Sequence, residues 1–238
     1  TYTSDIEVAK VMEKYDLYEV PVVDELMRLV GVITVDDVID VIREEAEENY
    51  QLAAGITQNV DSDDNIWKLT KARLPWLLLA LVGSFVAVNI SQSFSNALNL
   101  YPQLFFFTPL VAAMAGNVGV QSSAIIVQGL ANNNISGSIW KRLGKEMLLA
   151  LLNSTLLAGI LLIATHFLMS TSYEISSTIV LALVIVMILA SLIGTSIPII
   201  LDKYGVDPAI ATGPFITTSN DIFGLLIYFS IAKMILGF

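Results

Sequence analysis

Between residues 74 and 238 the chain reads as five long apolar runs, at roughly 74–98, 103–131, 143–170, 177–201 and 208–236, separated by short polar breaks. Each is near or above the ~20 residues a helix needs to cross a bilayer. The pattern therefore predicts a mainly α, polytopic membrane protein with five transmembrane helices. The second run differs from the others, because "TPLVAAMAGNVGVQSSAIIVQG" is interrupted by glycine, serine and amide side chains. Such a span is tolerated only where it faces protein or a water-filled path.

Before residue 74 the periodicity changes. Residues 4–23 predict a short helix and then a strand, with Ser4 as N-cap and Glu7 three residues on. "LMRLVGVIT" (26–34) predicts a second strand, and Thr34 or Asp36 opens a second helix beginning "VDDVIDVIREEAEENY". A unit of about 45 residues buries little core alone, so pairing with another half is expected. From about 44 to 66 the text is polar and acidic, a connecting helix and linker. The expected parts are 1–45, a partial α/β domain; 46–73, an acidic connecting helix and linker; and 74–238, the five-helix membrane domain.

Charge sharpens this division. Residues 1–73 hold 17 Asp and Glu against 7 Lys and Arg, whereas residues 74–238 hold 5 of each. With no cysteine, neither a disulfide framework nor a thiolate metal site is possible. Nothing is basic enough to suggest nucleic acid. No signal peptide is visible, and the opening text reads as the interior of a folded domain, which suggests a piece of a longer protein. "WKLTKARLPW" (67–76) sets Lys68, Lys71 and Arg73 between two tryptophans just before the first apolar run, the pattern of an inner-leaflet interface. The 132–146 loop carries Lys141, Arg142 and Lys145, and the 202–207 loop carries Lys203, while 99–102 and 171–176 carry no Lys or Arg. The positive-inside rule then predicts a cytoplasmic N-terminus and an external C-terminus in the plasma (inner) membrane.

Against this topology Glu146, Glu174, Asp202 and Asp207 fall at span ends or in loops, where solvation is cheap. Asp221 alone lies deep, at a cost of about 2.5–3.5 kcal/mol on insertion scales. Its helical face carries Gly213 or Pro214, Thr217, Thr218, Gly224 and Tyr228, against Phe215, Ile216, Ile222, Phe223 and Leu226 opposite. Two readings stand: a protonated acid bonded to Thr217, or a functional carboxylate. Asn117 and Gln121 share one face of the second span, beside glycines that favour close packing, so they either line a path or glue helices. Pro109, Pro198 and Pro214 interrupt or begin spans, and unwinding in "GVDPAIATGPF" would free carbonyls beside Asp221. An oxygen-only lining suits a hard cation such as Mg²⁺. His166 reads as an interfacial side chain. Asp37, Asp40, Glu44 and Glu48 form one stripe of a helix, either a solvated face or a divalent-cation sensor.

These residues carry a family resemblance. "YDLYEVPVVDELMRLVGVITVDDVIDVI" is similar to the second half of a CBS-domain pair. "PLVAAMAGNVGVQSSAIIVQGLA" and "LDKYGVDPAIATGPFITTSNDIFGLLIYFSIA" resemble the signature spans of the MgtE family of magnesium channels and transporters. The resemblance implies a partial CBS domain, a plug-like connecting helix and a homodimer lining a central pore. It implies that Asp221 binds hydrated Mg²⁺ there, with Gly213 and Thr217 at neighbouring positions of the ion site. Gly213 replaces a polar residue common in the family, and Thr217 stands where small residues are familiar. It also implies closure by cytosolic Mg²⁺ at Asp16, Asp37, Asp40, Glu45 and Glu48, with Asn49 where an acid is expected. ATP binding belongs to a complete CBS pair, which this half does not supply. A proton-coupled carrier, or one of broader divalent specificity (Mn²⁺, Co²⁺), remains open, as does a purely regulatory sensor. An enzyme is disfavoured, because no second deep acid, histidine, cysteine or lysine accompanies Asp221.

Overall fold

The computed structural model describes residues 2–131 and 138–238. It divides into two compact units, Thr1–Gln51 and Leu52–Phe238. The 132–137 part of the expected basic loop lies outside the described residues.

The first unit contains α1 (Asp5–Lys14), β1 (Glu19–Val23), β2 (Leu29–Thr34) and most of α2 (Val35–Ala53). Ser4 caps α1 as its spacing predicts, its Oγ accepting the Glu7 N–H at 3.3 Å. The strands pair antiparallel from Glu19 opposite Thr34 to Val23 opposite Leu29, with an irregularity at Val22/Val23. The second strand begins three residues later than the apolar text suggests. Asp24 accepts the Leu26 and Arg28 N–H groups, both at 2.9 Å, and Met27 takes a left-handed φ of 57°. Residues 24–28 are therefore the turn. Ala9, Met12 and Val38 form the small core, with Val8, Val20 and Ile33 against it.

At the start of α2, Asp37 accepts the Thr34 N–H at 2.8 Å and the Thr34 hydroxyl at 2.7 Å. A carboxylate here satisfies an N–H that the helix leaves without a partner. The two bonds, the N–H first, hold the Asp37 carboxyl below its ordinary range. The second helix and the expected connecting helix are one element, since α2 runs unbroken from Val35 to Ala53.

The second unit holds α3 (Ile66–Ser93), α4 (Ser95–Leu100), α5 (Pro102–Phe106), α6 (Thr108–Ala131), α7 (Ile139–Ile163) continued by a π-helical turn (Ala164–Leu168), α8 (Tyr173–Lys203), a 3₁₀ turn (Pro208–Ala211) and α9 (Pro214–Leu236). Among the described residues five helices are long and apolar enough to span a membrane. The first starts eight residues earlier than the apolar run, because Asn65 caps it through the Trp67 N–H at 2.9 Å. α8 is central, with 56% of its most apolar window buried, and it packs on α6, α7 and α9. α3 lies on α9 and is only 11% buried over its window, so Leu77, Leu81, Val82 and Phe85 project outward. That much exposed aliphatic surface suits lipid rather than water.

α6 is a regular helix despite its glycines, because they serve contacts between helices. A Cβ on Gly194 would fall 2.3 Å from the Gly119 carbonyl oxygen, and one on Gly119 would fall 1.9 Å from Asn220 Nδ2. Asn220 is buried and donates through Nδ2 to the Ala115 carbonyl at 3.2 Å. Pro198 does not interrupt α8, which continues through it to Lys203. Toward the other end, Phe229 stacks on Phe94 at 5.2 Å and packs on Phe105 at 5.0 Å, while buried Tyr228 donates to the Leu104 carbonyl at 2.9 Å. Gly224 and Tyr228 thus belong to the packed core rather than to a polar path, and Ile216, expected on the face away from Asp221, is fully buried.

Gly194→Ala is expected to destabilise the membrane unit by about 1–3 kcal/mol through overpacking. Gly144→Ala, where a Cβ meets open space, should be neutral or stabilising by up to about 1 kcal/mol. Thermal unfolding in detergent compares the two. For Asp37, whose folded pKa is depressed, the cap contributes stability above the ordinary carboxylate value of about 4 and loses it as pH falls through the lower folded value. Asp37→Asn should flatten that acid limb, read by helical circular dichroism against pH.

Candidate ion site in the membrane unit

The site is built where α9 begins. Gly213 has φ 56° and ψ −123°, a backbone state closed to side chains, and a Cβ there would fall 2.2 Å from the Ala53 carbonyl oxygen. Gly55, at φ 78°, meets Pro214 just as closely. The segment after α2 is thereby seated on the first turn of α9. It is also tied to α3, since Thr57 donates both its N–H and its hydroxyl to the Ala72 carbonyl, each at 3.0 Å.

These contacts enclose a cavity of about 770 Å³. Its walls are Arg73, Trp76 and Ser84 of α3, Gly213 and Pro214, and Thr217, Thr218 and Asp221 of α9, closed by residues 53–56. α3 approaches α9 through Gly83, where a Cβ would meet Thr218 Cγ2 at 2.0 Å. Asp221 is half-buried, lines the cavity and makes no hydrogen bond or ion pair with another described residue. Thr217 does not hold it; its N–H and its hydroxyl both go to the Gly213 carbonyl at 3.0 Å. That carbonyl is thus occupied, as are those of Asp207 and Ala209 within the 3₁₀ turn. The unwinding expected before Pro214 does occur, and Gly213 and Pro214 form part of the cavity wall.

Asn117 and Gln121 are exposed on α6 and do not line this cavity, although Pro214 does. With Ala113, Ala124 and Gln128 they make an exposed stripe, while Ala115, Gly119, Ser122 and Ile126 face inward. In the first unit, Asp16 follows α1 at φ 52°, Asp37 is engaged by Thr34, and Asp40, Glu45 and Glu48 lie along α2. Among the described residues no three acids or histidines gather closely enough to hold a metal.

Glu146 lies near a span end, as expected, but it is not left to solvent. Ser138 caps α7 through the Trp140 N–H at 3.3 Å, so the helix starts before the apolar run and carries Lys141, Arg142 and Lys145 in its first turns. Glu146 comes next, half-buried, and its Oε1 accepts the hydroxyls of Ser122 and Ser191, both at 2.6 Å. A second acid, next to Lys145 near the start of α7, is therefore held by protein donors. One signal was available: buried Ala150, Ser154 and Ala158 follow at four-residue steps and mark the packing face on which Glu146 lies. Trp76, read only as an interfacial anchor, has a buried Nε1–H without a partner at the cavity wall. His166 is exposed within the π-helical turn, with Nδ1 3.2 Å from the Thr171 carbonyl oxygen. Glu174, Asp202 and Asp207 are exposed, as expected.

The arrangement offers one carboxylate, three hydroxyl-bearing side chains (Ser84, Thr217 and Thr218) and room for several waters. A single carboxylate cannot replace the six-oxygen shell of Mg²⁺, but it can hold a hydrated ion through its water. The sequence profile of the MgtE family, described as a divalent cation transporter, matches residues 108–231, and that of the CBS domain matches residues 3–44. The chain belongs to the MgtE family. Over 226 residues this MgtE-family chain is 38% identical to the magnesium transporter MgtE of Bacillus subtilis, a match covering 95% of the chain and 50% of that protein. It is 36% identical over 243 residues to that of Thermus thermophilus, covering 99% and 53%, and 34% identical over 232 residues to that of Enterococcus faecalis, covering 98% and 51%. The chain spans about half the length of these curated relatives.

Proposed function

We propose that this MgtE-family chain is the pore-forming half of a Mg²⁺ channel or transporter. The observation that carries the reading is Asp221, a half-buried carboxylate on a membrane helix, unpartnered and facing a cavity with room for a hydrated ion. An acid within a span is retained where it meets a polar path. Relatives named magnesium transporters support Mg²⁺ as cargo.

The working unit is a homodimer, with two Asp221 carboxylates sharing one hydrated ion. The exposed stripe of Asn117, Gln121 and Gln128 on α6 supports it, since amides facing lipid lack hydrogen-bond partners. Lys68, Lys71, Arg73, Lys141, Arg142, Lys145 and Lys203 all fall at the ends of spans that alternate toward the N-terminal side, which supports a cytoplasmic N-terminus and an external C-terminus in the plasma (inner) membrane. An inward-negative potential then draws the ion in by about 2.3 kcal/mol per charge per 100 mV. Cytosolic Mg²⁺ closes the pore by bridging Asp16, Asp37, Asp40, Glu45 and Glu48 to acids of the rest of the assembly. No three of them meet within the described residues of one protomer, so the ligands left over come from elsewhere.

Asp221→Asn or Asp221→Ala is expected to abolish Mg²⁺ uptake into liposomes by the full-length dimer without dissociating it; wild-type flux in either variant ends the proposal. Competition by Mn²⁺ and Co²⁺ in the same assay, with internal pH recorded, separates a Mg²⁺ channel from a broader or proton-coupled carrier. Neutralising the five cytosolic acids together should leave currents open at millimolar Mg²⁺; normal shut-off in patches would reduce them to a solvated face.

A further inference from the structure

The geometry points to Glu146 as a positioning residue for transport, acting through Ser122 to aim α6. The inference rests on the proposed homodimer, in which the exposed amide stripe of α6 faces the partner across the shared ion path. Three oxygens meet where α6, α7 and α8 cross: Glu146 Oε1 lies 2.6 Å from both Ser122 Oγ and Ser191 Oγ, and the two hydroxyl oxygens are 3.1 Å apart. Both serines are buried, at 4% and 0% exposure.

Their behaviour departs from that of other membrane hydroxyls in this unit. Ser91, Thr155, Thr165 and Thr178 each donate to a carbonyl four residues back in their own helix. That is the ordinary way for a hydroxyl to be satisfied within a span. Ser122 and Ser191 instead turn across the helix boundary to one carboxylate oxygen. Hydrogen bonds to an ionised acceptor are short and directional.

Direction is what the neighbouring contact lacks. The Gly119–Gly194 approach fixes how near α6 and α8 lie, but two bare backbones resist rotation weakly. Ser122 is three residues beyond Gly119 on the same inward face, and Gln121 is its neighbour on the exposed one. Successive helical residues are held ~100° apart. Securing Ser122 to Glu146 therefore sets the heading of Asn117 and Gln121. α7, which otherwise packs on α8, acts as a brace that reaches past it to α6.

The full-length protein in liposomes tests this with Glu146→Ala, Glu146→Gln and the double variant Ser122→Ala/Ser191→Ala. Glu146→Ala and the serine pair should each lower maximal Mg²⁺ uptake about tenfold, the scale of losing hydrogen bonds to a charged group. The half-saturating Mg²⁺ concentration should be unchanged, because Asp221 is untouched. Glu146→Gln keeps an oxygen that both hydroxyls can reach and should retain most of the rate. Combining Glu146→Ala with the serine pair should cost no more than either alone, since they form one unit. A maximal rate within about twofold of wild type in folded Glu146→Ala, with only thermal stability lowered, overturns the proposal and leaves a packing clamp. So do additive losses, or a shift confined to half-saturation. If Glu146→Ala does not fold, the serine pair and Glu146→Gln decide by the same criteria. Asp221→Asn is run beside them: flux surviving there removes the transport reading itself, whatever Glu146 does.

Discussion

Among the helices of the membrane unit, the direct approach of backbones where α6, α8 and α9 cross sets the rest. Lipid is as apolar as leucine, so helices in a bilayer gain little from hiding aliphatic surface and associate through contact and hydrogen bonding. Gly119 and Gly194 let two backbones touch, and Asn220 fills the remaining gap while tying α9 to α6 through the Ala115 carbonyl. That junction holds Asn220 inward and its neighbour Asp221 toward α3. The amides of α6 lie on its outer face.

Two acids of the membrane unit, Glu146 and Asp221, show what a bilayer demands of a carboxylate. Glu146 is satisfied by two serine hydroxyls from different helices. The Asp221 carboxylate has no hydrogen-bond or ion-pair partner among the described residues and borders a cavity of about 770 Å³. A buried charge must be compensated by hydrogen bonds or by solvent and counter-ion. The first acid has been given protein donors and organises helices. The second has been given space, and that contrast is the physical basis for assigning it to cargo.

Much was legible along the chain because hydropathy over a span is a sum, insensitive to any one side chain. The five spans follow from it, and the cap of the first helix was legible in the spacing of Ser4 and Glu7. Helix ends were less legible because a single cap moves them: Asn65 starts α3 before its apolar run, and Ser138 does the same for α7. The strand that seemed to begin at Leu26 was shortened by one carboxylate, Asp24, collecting two backbone N–H groups into a turn.

By itself the sequence determined that the chain has an acidic α/β unit and five membrane helices, and that one carboxylate, Asp221, falls within the last of them. Those are properties of composition and period, written locally. Only the tertiary structure decided which polar groups meet. Thr217 spends its hydroxyl on its own helix, Gly213 is required by backbone geometry and a carbonyl at its shoulder, and Asn117 and Gln121 face away from the cavity that Asp221 lines. Partners from residues 24 to 105 positions apart in the chain carry this information, as in Ser122 with Glu146 or Asn220 with Ala115. No local pattern encodes such pairings, because they exist only once helices have chosen their neighbours and their rotation.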